Sequence, residues 1–445
     1  MGRNGAVIGL SLLLLLDPCS RGRSQDWMVF TPENSRIPDR NVLSLAMDSS
    51  GVLWIGTRYE GMASFDGVRW YHLRPPLSYP QTGPEPAVMA KTLGPQAEAI
   101  YDIAIDNRGV KWIGTKVAGV KRFDGLNWTI FNRQNSPLPD DYTWSILPEP
   151  GGTLWIGTKY AGLVAFDGHR WSVFAQGNSP LPSNDVTCLA LHRDGSLWVG
   201  TTQGIAVRRG QAWTVYSSNN SGLPVGHVEA IAFDPEGTAW IATWGAGLVR
   251  FDGTHWTTYG TRNSGLPDDY IYSLSVEADG TVWAGTFTRG VAAFDGLTWK
   301  HFSPSNSPLP DAFVYDILVD RRGNKWFATT LGLAAYRKGG VLLGPPLLPR
   351  TAGLVELGRP YPNPSSGRTG LPLRLSAPAL VTLSVYDSHG RLVRRVLSGA
   401  QLFAGELELT WDGRDEAGRR VPPGLYVAVA QAGGARSTAR IVLVR

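Results

Sequence analysis

Cysteine is almost missing from this chain: two residues in 445, Cys19 and Cys188. Cys19 falls in an N-terminal leader, so the remainder carries one thiol, and a lone thiol closes no internal disulfide. Packing and strand pairing must hold the fold, and Cys188 is expected to act as a small buried residue. Histidine is scarce, with seven residues, and there is no His-Glu-x-x-His, Gly-x-Ser-x-Gly or phosphate-cradling loop. No pair of carboxylates stands apart from turn positions, as glycoside hydrolysis would need. The apolar run Val7 to Leu16 is too short to span a bilayer. No stretch after it has a long helical period. Charge of one sign is also limited. The net charge is +5, and the excess is scattered arginine near the C-terminus rather than a basic stripe with stacking aromatics. Nucleic acid is therefore not an expected partner.

Tryptophan, in contrast, is abundant, with 17 residues. Seven of them, Trp54, Trp112, Trp155, Trp198, Trp240, Trp283 and Trp326, recur at intervals of 58, 43, 43, 42, 43 and 43 residues. A second series keeps the same beat: Trp27, Trp70, Trp128, Trp171, Trp213, Trp256 and Trp299. A period near 43 residues marks stacked units that cannot bury their own faces alone. Residues 228–259 show one unit. Short β-branched and aromatic runs are split by Pro235-Glu236-Gly237 and Asp252-Gly253, which is a pattern of antiparallel hairpins. A loop of the form Asn-Ser-x-Leu/Ile-Pro then recurs from Asn34, Asn135, Asn178, Asn220, Asn263 and Asn306. Four strands per unit predict an all-β chain with a seven-bladed propeller. The last unit stops after three strands, near Tyr336, while Trp27 to Phe30 supplies a fourth strand at the other end. The N-terminal strand is therefore expected to close the ring and remove its bare edge. The long first interval places about 15 extra residues between blades one and two, in Pro75 to Gln96.

The repeated Trp-Ile-Gly-Thr-x-x-x-Gly-Leu/Val-x-x-Phe-Asp-Gly-x-x-Trp resembles the two-component regulator propeller repeat over residues 25 to about 340. That family implies a propeller and a tendency to bind ligands. Its best-known setting is the periplasmic sensor of hybrid histidine kinases. No kinase, receiver, DNA-binding or transmembrane segment is read in this sequence, so signalling is not carried over. Residues 1–24 look like a secretory signal, with Arg3 as the basic head and small residues Gly22 and Ser24 before Gln25. A lipid anchor on Cys19 is the less favoured alternative, because Leu16-Asp17-Pro18 lacks the small residue expected beside it.

Residues 341–356, with Pro345-Pro346 and Pro349, are expected to be a linker. Residues 357–445 contain twelve Arg and no Lys against six acidic residues, and alternate like a β-sandwich. Tyr361-Pro362-Asn363-Pro364, Val385-Tyr386-Asp387, Trp411-Asp412-Gly413-Arg414-Asp415 and Gly424-Leu425-Tyr426 resemble the flagellar-hook-capping immunoglobulin-like fold. The same motifs end many type IX secretion cargoes as a sorting domain. That resemblance implies passage through the periplasm, the type IX machinery as a partner, and a secreted or cell-surface protein. A purely structural sandwich is the alternative.

The fourteen periodic tryptophans are expected to be core, because a regular period signals packing. The Asp-x-x-Gly segments at Asp106 and Asp320 lack an alternating ligand series and a closing Glu, so they are turns, and neither metal nor cofactor is expected. Irregular positions are more informative. The loop between strands two and three varies from blade to blade and shares a face with the inner-strand starts at Tyr142, Trp144, Tyr270, Tyr272, Phe313 and Tyr315. Arg58, Tyr59, Lys116, Lys159, Tyr160, Trp244, Phe287 and Arg289 are the predicted ligand-binding residues. Rings stack on a sugar or peptide, and cations hold hydroxyls or carboxylates. The expected function is a non-catalytic propeller that binds a glycan or a peptide or protein ligand. The alternatives are a propeller enzyme such as a polysaccharide lyase or hydrolase, and a structural surface protein.

Overall fold

The structure is a computed structural model that describes residues 25–73, 99–344, 354–376 and 378–444. The expected leader, the Pro75 to Gln96 insertion and residues 345–353 of the expected linker lie outside the described residues. All regular elements among the described residues are strands.

Seven four-stranded sheets form the ring. Blade five shows the pattern: Val228–Phe233, Ala239–Thr243, Leu248–Phe251 and Trp256–Tyr259, each antiparallel to the next. Blades one to six use consecutive strands. Blade seven takes its outer strand from the other end of the chain, with Trp27 opposite Tyr336 and Phe30 opposite Leu333. Asp26 reinforces this seam, with its carbonyl accepting the Arg337 N–H and its carboxylate the Gly339 N–H.

The periodic tryptophans serve two packing roles. The inner seven are buried, at 0–6 % exposure. A buried indole N–H needs an acceptor, and the turn before each strand supplies it. Asp48, Asp106, Glu149, Asp234, Glu277 and Asp320 each accept the Nε1–H of the tryptophan six residues on, at 2.6–3.4 Å. In blade four Ser196 takes that place for Trp198. The same Asp106 carboxylate also accepts the backbone N–H groups of Arg108 and Val110. The outer tryptophans are half-buried, and in five blades they stack on the phenylalanine of strand three, as in Phe251–Trp256 at 4.1 Å and Phe166–Trp171 at 4.3 Å, while in blade seven Trp27 lies 4.7 Å from Tyr336. In blade four Arg208 stands over Trp213 instead.

The C-terminal domain is a sandwich of two sheets. One holds Val355–Leu357, Thr369–Leu375 and Gly405–Trp411; the other holds Ala379–Asp387, Leu392–Leu402, Gly424–Ala432 and Ala435–Leu443. Alternate residues such as Leu371, Leu373, Leu375, Val381, Leu383 and Val385 point into its core. Strand Val355–Leu357 pairs with Leu373 to Leu375, so the sandwich begins at Val355, two residues inside the segment expected to be linker.

This domain packs on blades one and two. In six blades strand four ends in a ring: Phe30, Phe131, Phe174, Tyr216, Tyr259 and Phe302. Each lies 5.9–6.2 Å from the inner tryptophan of its own blade. Blade one ends in Leu73 at the same register. There Phe403 of the sandwich enters the wedge, 4.9 Å from Trp54 and 5.8 Å from Phe123. Beside it the buried Lys111 ammonium lies 4.4 Å over Trp54 and donates to the Ala404 carbonyl. Burial pulls the Lys111 ammonium down to about 8. The Glu406 N–H donates to the Arg108 carbonyl across the same contact.

Candidate functional site

The site is built by a repeated backbone bond. In blades one to six the residue after the strand-two threonine gives its N–H to the carbonyl that precedes the inner strand. Arg58 donates to Asn41, Lys116 to Ala99, Lys159 to Tyr142, Thr202 to Asp185, Trp244 to His227 and Phe287 to Tyr270, at 2.9–3.2 Å. This clamp holds the variable loop against the entrance of the central channel. A buried or half-buried threonine hydroxyl locks each loop from behind, as Thr243 Oγ1 does on the Gly247 carbonyl. The mouth is therefore a rigid rim with variable side chains.

Each inner strand then has a bulge. Pairing skips one residue in every blade: Leu43, Tyr101, Trp144, Thr187, Glu229, Tyr272 and Tyr315. A bulged residue leaves the ladder and re-aims its side chain. All seven line the channel, around a cavity of about 180 Å³. Each stands two residues beyond a mouth residue on the same face of its strand, so the cavity lies below the mouth.

The two sides of the rim differ. On blades five to seven rings form a continuous group. Trp244 lies 5.9 Å from His227, 5.2 Å from Tyr270 and 5.1 Å from Phe287; Phe287 lies 4.7 Å from Phe313, and Phe313 4.1 Å from Tyr315. On blades one to three cations stand beside rings. Arg58 Nη1 is 3.4 Å from the Tyr315 hydroxyl. Lys159 Nζ is 2.6 Å from Asp185 and 5.4 Å over Trp144. Lys116 is half-buried at the corresponding place in blade two. Tyr160 is 69 % exposed and meets Tyr142 edge-on at 6.2 Å, while the Tyr59 N–H is fixed by Asp39.

Arg289 does not join this group. Its carbonyl meets His301 on the outermost strand, which sets it at the outer end of the loop. Position in the loop explains the difference: the first residue is clamped to the inner strand, and the third faces strand four. His169 and His255 sit in the strand-three-to-four turns on the opposite face.

Several groups of the channel were not anticipated: Tyr101, His227, Glu229, Asp102 and Asp316. His227 Nε2 lies 2.9 Å from Glu229. Asp102 and Asp316 follow the bulges and tie neighbouring blades, accepting the Ile146 N–H at 2.6 Å and the Leu45 N–H at 2.8 Å. Burial raises the Asp102 carboxyl to about 7, with Asp316 adding to it, and the Asp316 carboxyl to about 6. Cys188 is half-buried, lining the channel and packing against the core of blades four and five, and burial pushes its thiol to about 12. Carrying the register of the inner-strand starts Tyr142, Trp144, Tyr270 and Tyr272 to every blade would have found Tyr101, His227 and Glu229.

No helix among the described residues is long and apolar enough to cross a membrane. The described residues also hold no group of three or more His, Cys, Asp or Glu placed for a metal.

The fold is a seven-bladed propeller followed by an immunoglobulin-like domain. The two component regulator propeller family matches residues 36–59, 180–203 and 265–288, and the FlgD Ig-like domain matches residues 364–435. No curated protein matches the sequence. Among solved structures, the chain is similar to the extracellular domain of the hybrid two component system BT3049 from B. thetaiotaomicron. The TM-score is 0.58 at 18 % identity, over 94 % of this chain and 57 % of that one. It is also similar to PorZ, an essential surface component of the type-IX secretion system of Porphyromonas gingivalis, with a TM-score of 0.54 at 17 % identity, over 92 % and 60 %. Virginiamycin B lyase from Staphylococcus aureus has a TM-score of 0.54 at 14 % identity, over 70 % of this chain and 97 % of the lyase. The chain thus spans less than two thirds of the first two of these proteins. At these identities the likeness is one of fold.

Proposed function

We propose that this protein is a non-catalytic binding propeller that acts outside the cytoplasm and takes a glycan or peptide ligand at its channel mouth. One observation carries the proposal: a clamped, otherwise regular rim presents rings on blades five to seven and cations on blades one to three. Packing alone would tend to place the same residue in every blade. A ligand with an apolar face and oxygen-rich edges is held on both sides, by stacking on Trp244 and Phe287 and by hydrogen bonds to Arg58, Lys116 and Lys159. The extracellular propeller of BT3049 and the surface protein PorZ support a location outside the cell. The immunoglobulin-like domain supports export by the type IX route.

A glycan array probed with the full chain from Gln25 tests the proposal, since the propeller packs on its partner domain. Saturable binding that Trp244→Ala weakens several-fold is expected. Failure to bind any glycan or peptide on matched arrays rejects it in favour of a structural surface protein.

The His227–Glu229 pair at 2.9 Å and the lyase likeness favour a second reading, a propeller enzyme. Incubating any array hit with the protein and analysing products by mass spectrometry separates the two. Turnover that disappears in His227→Ala makes the protein an enzyme.

A further inference from the structure

One donor in the channel has nothing to donate to. Trp144 is the bulged residue of blade three and lines the cavity, and its buried Nε1–H finds no acceptor in the protein. The rest of the propeller shows how unusual this is, because all seven inner blade tryptophans have their N–H bonded to an acid or a serine. A buried donor left unbonded is costly, so an acceptor is expected there in the working state. The Glu229 carboxylate lines the same cavity, 2.9 Å from His227 Nε2. The rest of the lining mixes rings with Leu43, Thr187, Asp102 and Asp316; Tyr101 lies 4.6 Å from Trp144, and Tyr272 lies 5.6 Å from Tyr315.

A cavity of about 180 Å³ has room for several waters, and for a group the size of a sugar ring. A mixed lining of donors, carboxylates and aromatic faces suits a group that both donates and accepts around its edge and is apolar on its faces. A pyranose has this character. A peptide side chain of similar size offers fewer hydroxyls to such a lining.

We propose that the channel seats a single terminal pyranose residue of a glycan, inserted end-on, with the Trp144 Nε1–H donating to one of its oxygens and Glu229 accepting from a hydroxyl. The next sugar residues then rest on the rim, against Trp244 and Phe287. This proposal rests on the mouth being a ligand site and adds which part of the ligand is recognised. End-on seating makes the protein a reader of chain ends rather than of chain interiors.

The test uses the full chain from Gln25 on an array of oligosaccharides fixed by their reducing ends, with free methyl pyranosides as competitors. Bound glycans are expected to share one terminal residue, and the methyl glycoside of that residue is expected to compete. Trp144→Phe keeps the ring and removes the N–H, and should weaken binding about tenfold. Thr187→Tyr places in blade four the residue that blades two, six and seven carry at this register. It fills the channel and should abolish end recognition while the protein melts normally. Glycans that share only an internal motif, or full affinity in both variants, overturn end-on seating and leave the mouth site standing. Loss in Trp244→Ala with no effect of Thr187→Tyr likewise overturns end-on seating and keeps the mouth. No glycan binding at all rejects both.

Discussion

Phe403→Ala tests whether the two domains fold as one unit. The side chain is 5 % exposed and fills the wedge between blades one and two, against Trp54, Tyr71 and Phe123. Removing a buried phenylalanine costs about 3–5 kcal/mol when the site cannot collapse. Phe403 arrives from another domain, whose position can relax, so the lower end, about 3 kcal/mol, is expected. For a chain of this size, at about 2 °C per kcal/mol, the midpoint should fall by about 6 °C. Tryptophan fluorescence isolates the propeller, because Trp411 is the one tryptophan of 17 in the sandwich. Adding Leu73→Phe gives blade one the ring its neighbours have and should recover part of the loss. An unchanged propeller midpoint in Phe403→Ala would refute the idea that the wedge needs the sandwich. It would also make residues 357–445 a domain that folds without supporting the propeller.

Removing residues 26–30 bares the edge of blade seven and takes away Trp27 and Phe30, so the loss should be several kcal/mol; a melting midpoint equal to that of the intact chain rejects the seam as a stabilising element. Trp244→Ala should weaken a bound glycan several-fold with little change in melting temperature, measured by titration calorimetry and by a melt; unfolding with intact affinity in the folded fraction would move Trp244 to the core. The pH dependence of stability should have a channel component. Asp102 titrates at about 7 when folded and near 3.8 when unfolded. Between those values the folded state holds a proton that the unfolded chain releases, so stability falls as pH rises through that window. Asp102→Asn keeps an acceptor for Ile146 and should flatten this slope; an unchanged slope in thermal melts across the window removes Asp102 as its source.

The blade count, the closing strand and the sandwich were legible because packing imposes a period, and a period survives in sequence. The acid six residues before six of the seven inner tryptophans was equally visible, but its role as acceptor for the indole N–H needs coordinates. Leu73 was a legible exception whose meaning lay far away, at Phe403. At the mouth, sequence comparison between blades finds residues that vary and cannot say which way they face. It therefore grouped Arg289 with Trp244 and Phe287 and gave no sign that its backbone carbonyl meets His301 on the outermost strand. The bulges hid the channel wall, since simple alternation along a strand gives no sign of a residue that has left the ladder. Asp102 and Asp316 were missed for that reason.

The seam at blade seven also sets a timetable. Asp26 and Gly339 are 313 residues apart in sequence and bonded in the fold. Blades two to six are local hairpins that can form as soon as their own residues are available, but strand Trp27–Phe30 has no partner until Gly332–Tyr336 exists. Contacts of such range form late, because the intervening loop must first be closed. A partly made ring therefore carries two unfinished ends at once, and it changes from open to shut in a single late step. The mouth, whose rim joins side chains of blades one and seven through Arg58 and Tyr315, is complete only after that step. Binding of the proposed ligand at the mouth would thus report that the whole ring has been made.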